Sequence, residues 1–199
     1  MSAASSEAPF TLGILSGGAG RRLGGADKGL MIVDAMEQVQ RVRAAFGAAP
    51  AAVLVSANRH LDRYRALGFD VVEDSIPDYP GPLAGIAALL AACRTPWLLS
   101  VPVDAVQIPD GIAAHLFEAL ATAPDSIAIA RLRDDDGLQP TVALYPATLT
   151  ESAAAALQAG ERSLQRWQEA QGCTELRLPA SIGNRNTPTD YPDTASTPP

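Results

Sequence analysis

The stretch Phe10-Thr-Leu-Gly-Ile-Leu15-Ser-Gly-Gly-Ala-Gly-Arg-Arg-Leu-Gly-Gly-Ala-Asp-Lys28 sets an apolar run directly before a loop that holds five glycines, two arginines and a lysine. Glycine lets backbone N–H groups approach an anion with no Cβ in the way, and the three cations would neutralise a polyphosphate. The stretch therefore reads as a buried strand that ends in a phosphate cradle. Two familiar cradles do not fit it. A P-loop ends in Gly-Lys-Ser/Thr, whereas Lys28 stands between Asp27 and Gly29; a dinucleotide fingerprint begun at Gly18 needs a glycine where Leu23 stands. A plain surface hinge would not call for two adjacent arginines.

Outward from this loop the chain alternates short apolar runs with helix-like stretches. Phe10–Leu15, Ala52–Val55, Phe69–Val72, Trp97–Val101 and Ile127–Ala130 read as buried strands, and Gln38–Phe46, Leu61–Leu67, Leu83–Ala92 and Ile112–Leu120 as crossover helices. Thr141–Tyr145 reads as a further strand, Leu149–Gln158 and Leu164–Gln171 as helices, and Thr174–Leu178 as a last strand. This order predicts an α/β fold with a mostly parallel sheet, right-handed crossovers and ligands beyond the carboxyl ends of the strands. One domain is expected over residues 10–190, with a flexible N-terminus at 1–9 and a disordered tail at 191–199, where proline, threonine and aspartate dominate.

The 199 residues are 47% hydrophobic but only 5% aromatic, so alanine, leucine and valine must supply most of one core. A net charge of −7 argues against binding to nucleic acid or to an anionic membrane, which would repel the chain overall. Cys93 and Cys173 have no metal-like spacing and are expected to be free thiols in a reducing compartment. Neither a secretory leader nor an apolar run of the roughly 18 residues needed to span a membrane is visible, which predicts a cytoplasmic protein.

Three further segments carry chemistry at strand ends. Asp74 follows the third strand and can accept hydrogen bonds from a ribose or from the donor-rich edge of guanine; Gly81 and Gly85 flank Pro82, which suits the first position of a helix and would let a ligand approach its first turn. Asp104 follows the strand Trp97–Val101, where one carboxylate suffices for Mg²⁺ when a nucleotide supplies phosphate oxygens. Asn184 and Asn186 flank Arg185 in a polar segment that could meet phosphate or form a turn. Ser56-Ala-Asn58 follows the second strand on the same rim. His60 and His115 have no partners at metal spacing and read as ordinary helix residues, and Asp134–Asp136 as a solvated acidic loop.

Leu15–Leu30, Asn58–His60, Glu73-Asp-Ser-Ile-Pro-Asp-Tyr-Pro-Gly-Pro-Leu-Ala-Gly85, Pro102-Val-Asp104, Gln139-Pro-Thr141, Gly160-Glu-Arg162 and Asn184-Arg-Asn-Thr-Pro188 together resemble the molybdenum cofactor guanylyltransferases, the bacterial MobA family. The resemblance implies a three-layer Rossmann-like fold of the nucleotide-diphospho-sugar transferase type. It implies transfer of GMP from GTP to molybdopterin with release of pyrophosphate, dependent on Mg²⁺. The family's GTP contacts fall on Leu15, Ser16, Gly17, Gly18, Gly25, Lys28, Ser56, Asp74 and Asp104, with Asp104 also the metal ligand. Lys28, Arg22 and Asp104 take the catalytic roles, and Gly81, Gly85, Asn184 and Asn186 the molybdopterin side. Implied partners are GTP, molybdopterin, the proteins that supply it and a recipient molybdoenzyme.

The chain departs from the family pattern at three places. Ser16 replaces an alanine, Ser56 stands where asparagine is frequent, and Asp34-Ala-Met-Glu37 replaces a Gly-Lys-Pro turn before the first long helix. Two other readings stay open on the sequence: a molybdopterin cytidylyltransferase, and a catalytically silent paralogue that binds and delivers the cofactor.

Overall fold

The computed structural model describes residues 9–17, 26–73 and 81–185. Strand β1 (Phe10–Leu15) is buried along nearly its whole length, which suits a strand covered on both faces. It pairs in parallel with β4 (Ala52–Ser56) on one side and β6 (Trp97–Pro102) on the other. Beyond β4 lies β5 (Asp70–Val72); beyond β6 come β8 (Gly137–Pro146), β7 (Ile129–Asp134) and β9 (Cys173–Arg177). The seven-stranded sheet thus runs β5-β4-β1-β6-β8-β7-β9. Only β8 is antiparallel to its neighbours, and β9 pairs with β7 in parallel.

Six helices cover the sheet among the described residues: α1 (Gln38–Ala45), α2 (Leu61–Ala66), α3 (Pro82–Ala92), α4 (Ile112–Ala121), α5 (Thr150–Gln158) and α6 (Leu164–Ala170). Val39, Val42, Tyr64, Ile112 and Leu116 of α1, α2 and α4 pack with Leu12, Ile14, Val55 and Val101 in one buried cluster. Leu83, Ile86, Leu89, Leu157, Leu164 and Trp167 of α3, α5 and α6 form the other with Leu54, Leu98, Ala143 and Tyr145. Two apolar clusters with a sheet between them make the three layers that the family resemblance implies, on the α/β order read from the chain.

The departures from the sequence reading have physical causes. A two-residue turn at Asp34–Ala35 joins two short strands, β2 (Ile32–Val33) and β3 (Met36–Glu37), which no apolar run marks. Both turn residues have positive φ, 50° and 62°, the twist that two-residue hairpins favour. Strand β7 begins two residues later than Ile127 and continues through Arg131 and Arg133, because their charges are met by Glu175 of β9. Asp134 is buried rather than solvated. Burial works to raise its carboxyl, but N–H donors from Ile182, Asp136 and Gly137 and the Gln139 amide outweigh that and hold it below the ordinary range. This tight acidic turn anchors the segment Ser181–Arg185, with Ser181 Oγ donating to Asp136. His60 stands in front of α2 at φ 51°, not inside it, whereas His115 is an exposed residue of α4.

Candidate active site

The carboxyl ends of β1, β4 and β6 finish level with one another, Leu15 opposite Ser56 on one side and Pro102 on the other. The ladder continues one step into the loops: Ser16 N donates to Ser56 O at 2.8 Å, and Val103 N to Leu15 O at 3.0 Å. Three expected site segments therefore share a rim. Across it Lys28 Nζ donates to Asp104 Oδ2 at 2.7 Å, with both side chains a fifth to a quarter exposed (25% and 20%). The structure so brings together the cation and the carboxylate that the sequence placed at separate strand ends. Gly17 lies on the rim beside them, whereas Gly18, Arg22, Gly25, Asp74 and Asn186 fall outside the described residues.

Lys28 is held from below by a buried chain of polar groups. It opens a single 3₁₀ turn whose cap, Asp27, accepts from Gly29 N at 3.1 Å. Asp27 Oδ1 also accepts from the Tyr64 hydroxyl at 2.6 Å, and that oxygen lies 2.6 Å from Ser16 Oγ. Since the phenol proton goes to Asp27, the Ser16 hydroxyl is the donor of the second bond. Burial, then the Asp27 charge, push the Tyr64 phenol far above its ordinary range, so it stays a neutral donor. Ser16 and Asp27 are the two ends of the glycine-arginine loop, and the Tyr64 hydroxyl ties them together. The close approach needs Gly29: a Cβ there would lie 2.3 Å from the Tyr64 hydroxyl.

Gly81 and Gly85 have different structural duties. Gly81 caps α3 at φ 98°, a region that suits glycine, and a Cβ on it would come 3.3 Å from Arg162 O. It thus sets the start of α3 against the Gly160–Ser163 segment. Gly85 is buried, and a Cβ on it would meet Leu15 Cδ2 at 2.8 Å and Ser56 Oγ at 2.9 Å. Its smallness makes room for the ends of β1 and β4. Ser56 itself is 1% exposed, and its hydroxyl has no hydrogen-bond partner among the described residues.

Asp104 sits in a turn that the end of the described chain completes. Asn184 forms an antiparallel bridge with Ala105, and Arg185 N donates to Asp104 O at 2.9 Å. Asn184 is exposed on the rim next to the carboxylate. The fully buried amide of Gln38, from the first turn of α1, donates to Val103 O at 3.0 Å and Ala105 O at 3.2 Å and accepts from Arg185 at 3.2 Å. Gln38 and Tyr64 were not legible as site residues. The available signal was a polar side chain on the buried stripe of a helix, beside Val39 in α1 and in the middle of α2.

The donor set fits a metal that arrives with a nucleotide. Among the described residues no group of three or more His, Cys, Asp or Glu side chains could hold an ion. Asp104 offers one hard, partly exposed carboxylate, which is what Mg²⁺ requires when phosphates and water supply its other oxygens. The rim thus brings one cation and one carboxylate together at the ends of β1 and β6.

Residues 12–174 match the family described as the MobA-like NTP transferase domain. A molybdenum cofactor guanylyltransferase of Cupriavidus metallidurans is 36% identical over 87% of this chain and 88% of its own. One of Ralstonia nicotianae is 38% identical over 87% and 90%. The crystal structure of molybdopterin-guanine dinucleotide biosynthesis protein A from Archaeoglobus fulgidus superposes with a TM-score of 0.69 over 91% of this chain and 94% of that one, at 17% identity, and so speaks for the fold. With a domain match across the sheet and relatives of this identity over most of their length, the chain belongs to the molybdenum cofactor guanylyltransferase (MobA) family.

Proposed function

We propose that the chain transfers GMP from GTP to molybdopterin and releases pyrophosphate. The observation that carries this reading is the Lys28–Asp104 pair at the common mouth of β1 and β6, with Asn184 bridged alongside. A terminal phosphate oxygen of molybdopterin attacks the α-phosphorus of GTP, the new P–O bond forms in line with the bond that breaks, and the electron pair leaves with pyrophosphate. The attacking phosphate is already ionised near neutrality, so no side chain need remove a proton.

The protein's work is to hold two anions together and to meet charge on the leaving group. Lys28 is the described cation for that task, joined by Arg22 and by the backbone of Gly17, Gly18 and Gly25 in the loop. Asp74 takes the guanine or ribose donors, and the enclosed Ser56 hydroxyl faces the same rim. Asp104 would hold Mg²⁺, which when bound neutralises phosphate charge and polarises the α-phosphoryl group. Gly81, Asn184 and Asn186 border the molybdopterin side. We place the reaction in the cytoplasm, between the proteins that supply molybdopterin and a molybdoenzyme that takes the product; among the described residues no helix is long and apolar enough to cross a membrane.

The test is pyrophosphate release by purified protein with molybdopterin, Mg²⁺ and either GTP or CTP. Release with GTP and little with CTP is expected; preference for CTP makes the chain a cytidylyltransferase, and release with neither makes it a silent paralogue. Asp104→Ala is expected to keep the circular dichroism spectrum and lose turnover by a factor of about 10² or more, in line with the several kcal/mol a metal contributes to such transition states. Wild-type turnover in that variant would remove Asp104 from the chemistry.

A further inference from the structure

The two-residue turn at Asp34–Ala35 delivers Gln38 to a place where its side chain touches both the Asp104 turn and the Arg185 segment. The hairpin closes with Val33 opposite Met36, Gln38 N donates to Met31 O at 2.9 Å, and α1 begins at once. The side chain then runs inward, fully enclosed, to the Asp104 turn. Its two amide protons go to the carbonyls of Val103 and Ala105, the residues on either side of Asp104. Its oxygen receives the Arg185 guanidinium, whose own backbone N–H is bonded to Asp104 O. Only one orientation of the amide satisfies these three partners, because two are acceptors and one is a donor. Both N–H donors of the Gln38 amide are therefore spent on the Asp104 turn, and its oxygen on the Arg185 segment.

We infer that Gln38 is a positioning residue that locks the Asp104 turn and the Asn184–Arg185 segment into one unit, so that a single buried amide sets the carboxylate on the nucleotide side relative to Asn184 on the acceptor side. It touches no reacting atom. The inference rests on the guanylyl-transfer reading for its catalytic consequence, but its structural content does not depend on that reading. A buried amide that bridges two chain segments acts on both, since loss of it takes a donor from two carbonyls and one acceptor from the Arg185 guanidinium.

The variant is Gln38→Met, which keeps the length and removes the hydrogen bonds, compared with Val42→Ala, which weakens the same helix without touching the turn. Hydrogen exchange followed by mass spectrometry on the ligand-free protein reads peptides covering 103–107 and 182–185. Gln38→Met is expected to exchange there ten-fold faster or more, and Val42→Ala to match wild type. In turnover, Gln38→Met is expected to lower kcat at least ten-fold and to raise the KM for molybdopterin several-fold, while Val42→Ala leaves both within two-fold. Unchanged exchange in Gln38→Met, or equal effects of the two variants, would overturn the inference. If wild type shows no pyrophosphate release, the transfer reading fails by itself, and the exchange experiment still decides the role of Gln38.

Discussion

Ser56 carries a hydroxyl that is enclosed by Leu15 and Gly85 and bonded to nothing among the described residues. A buried hydroxyl without a partner costs about 1–3 kcal/mol, so its persistence calls for something that arrives later. Ser56→Ala takes no hydrogen bond to any described residue. Its melting temperature is expected to stay or rise slightly without ligand, while the further rise on adding GTP and Mg²⁺ shrinks. A scan with and without nucleotide checks both, and an undiminished nucleotide shift would leave Ser56 outside the site. Ser16 is the converse case. Its hydroxyl is spent on Tyr64 within the protein, so the serine that replaces the family's usual alanine closes the base of the loop rather than contacting ligand through its side chain.

Among the elements, the β2–β3 hairpin and the start of α6 lend themselves to measurement. Ala35 is forced to φ 62° in the two-residue turn, where a Cβ costs about 1–2 kcal/mol and glycine costs little. Allowing for the greater freedom of glycine in the unfolded chain, Ala35→Gly is expected to stabilise the protein by about 0.5–1 kcal/mol in urea unfolding. Before α6, Glu161 accepts from Arg166 through both oxygens and from the N–H groups of Ser163 and Arg162. The Arg166 bonds first, then the backbone donors, pull its carboxyl from an ordinary 4.5 down to about 2. A lowered folded value means stabilisation that is full above about pH 4.5 and lost as pH falls toward 2. The melting-temperature gap between wild type and Glu161→Gln is therefore expected to close over that window; a gap independent of pH would assign it to packing.

At the scale of the molecule, what the sequence revealed followed from how far apart the partners lie. Continuous apolar runs announced β1, β4 and β6, because a strand covered on both faces needs nothing polar. Lys28 and Asp104 were visible because one closes the glycine-rich loop that follows β1 and the other stands two residues behind β6. Arg131 and Arg133 hid most of β7, since the Glu175 that admits them to the sheet comes some forty residues later. Gln38 and Tyr64 looked like any polar helix residue until folding set carbonyls and a carboxylate against them. The same distance explains the acidic turn: Asp134 reads as solvated until Ile182 arrives to cover it.

The bridge between Ala105 and Asn184 also has a meaning in time. A chain emerging from the ribosome can pair β1 with β4 and β6 and set Lys28 against Asp104 once Asp104 is out. Arg185 follows about 80 residues later, which at about 5–20 residues per second is roughly 4–16 seconds. Through that interval the nascent protein holds Lys28 and Asp104 without the Asn184–Arg185 segment beside them. Completion of the Asp104 turn is thus postponed until Arg185 is made, and a polypeptide released before that point carries the Lys28–Asp104 pair with the turn unfinished.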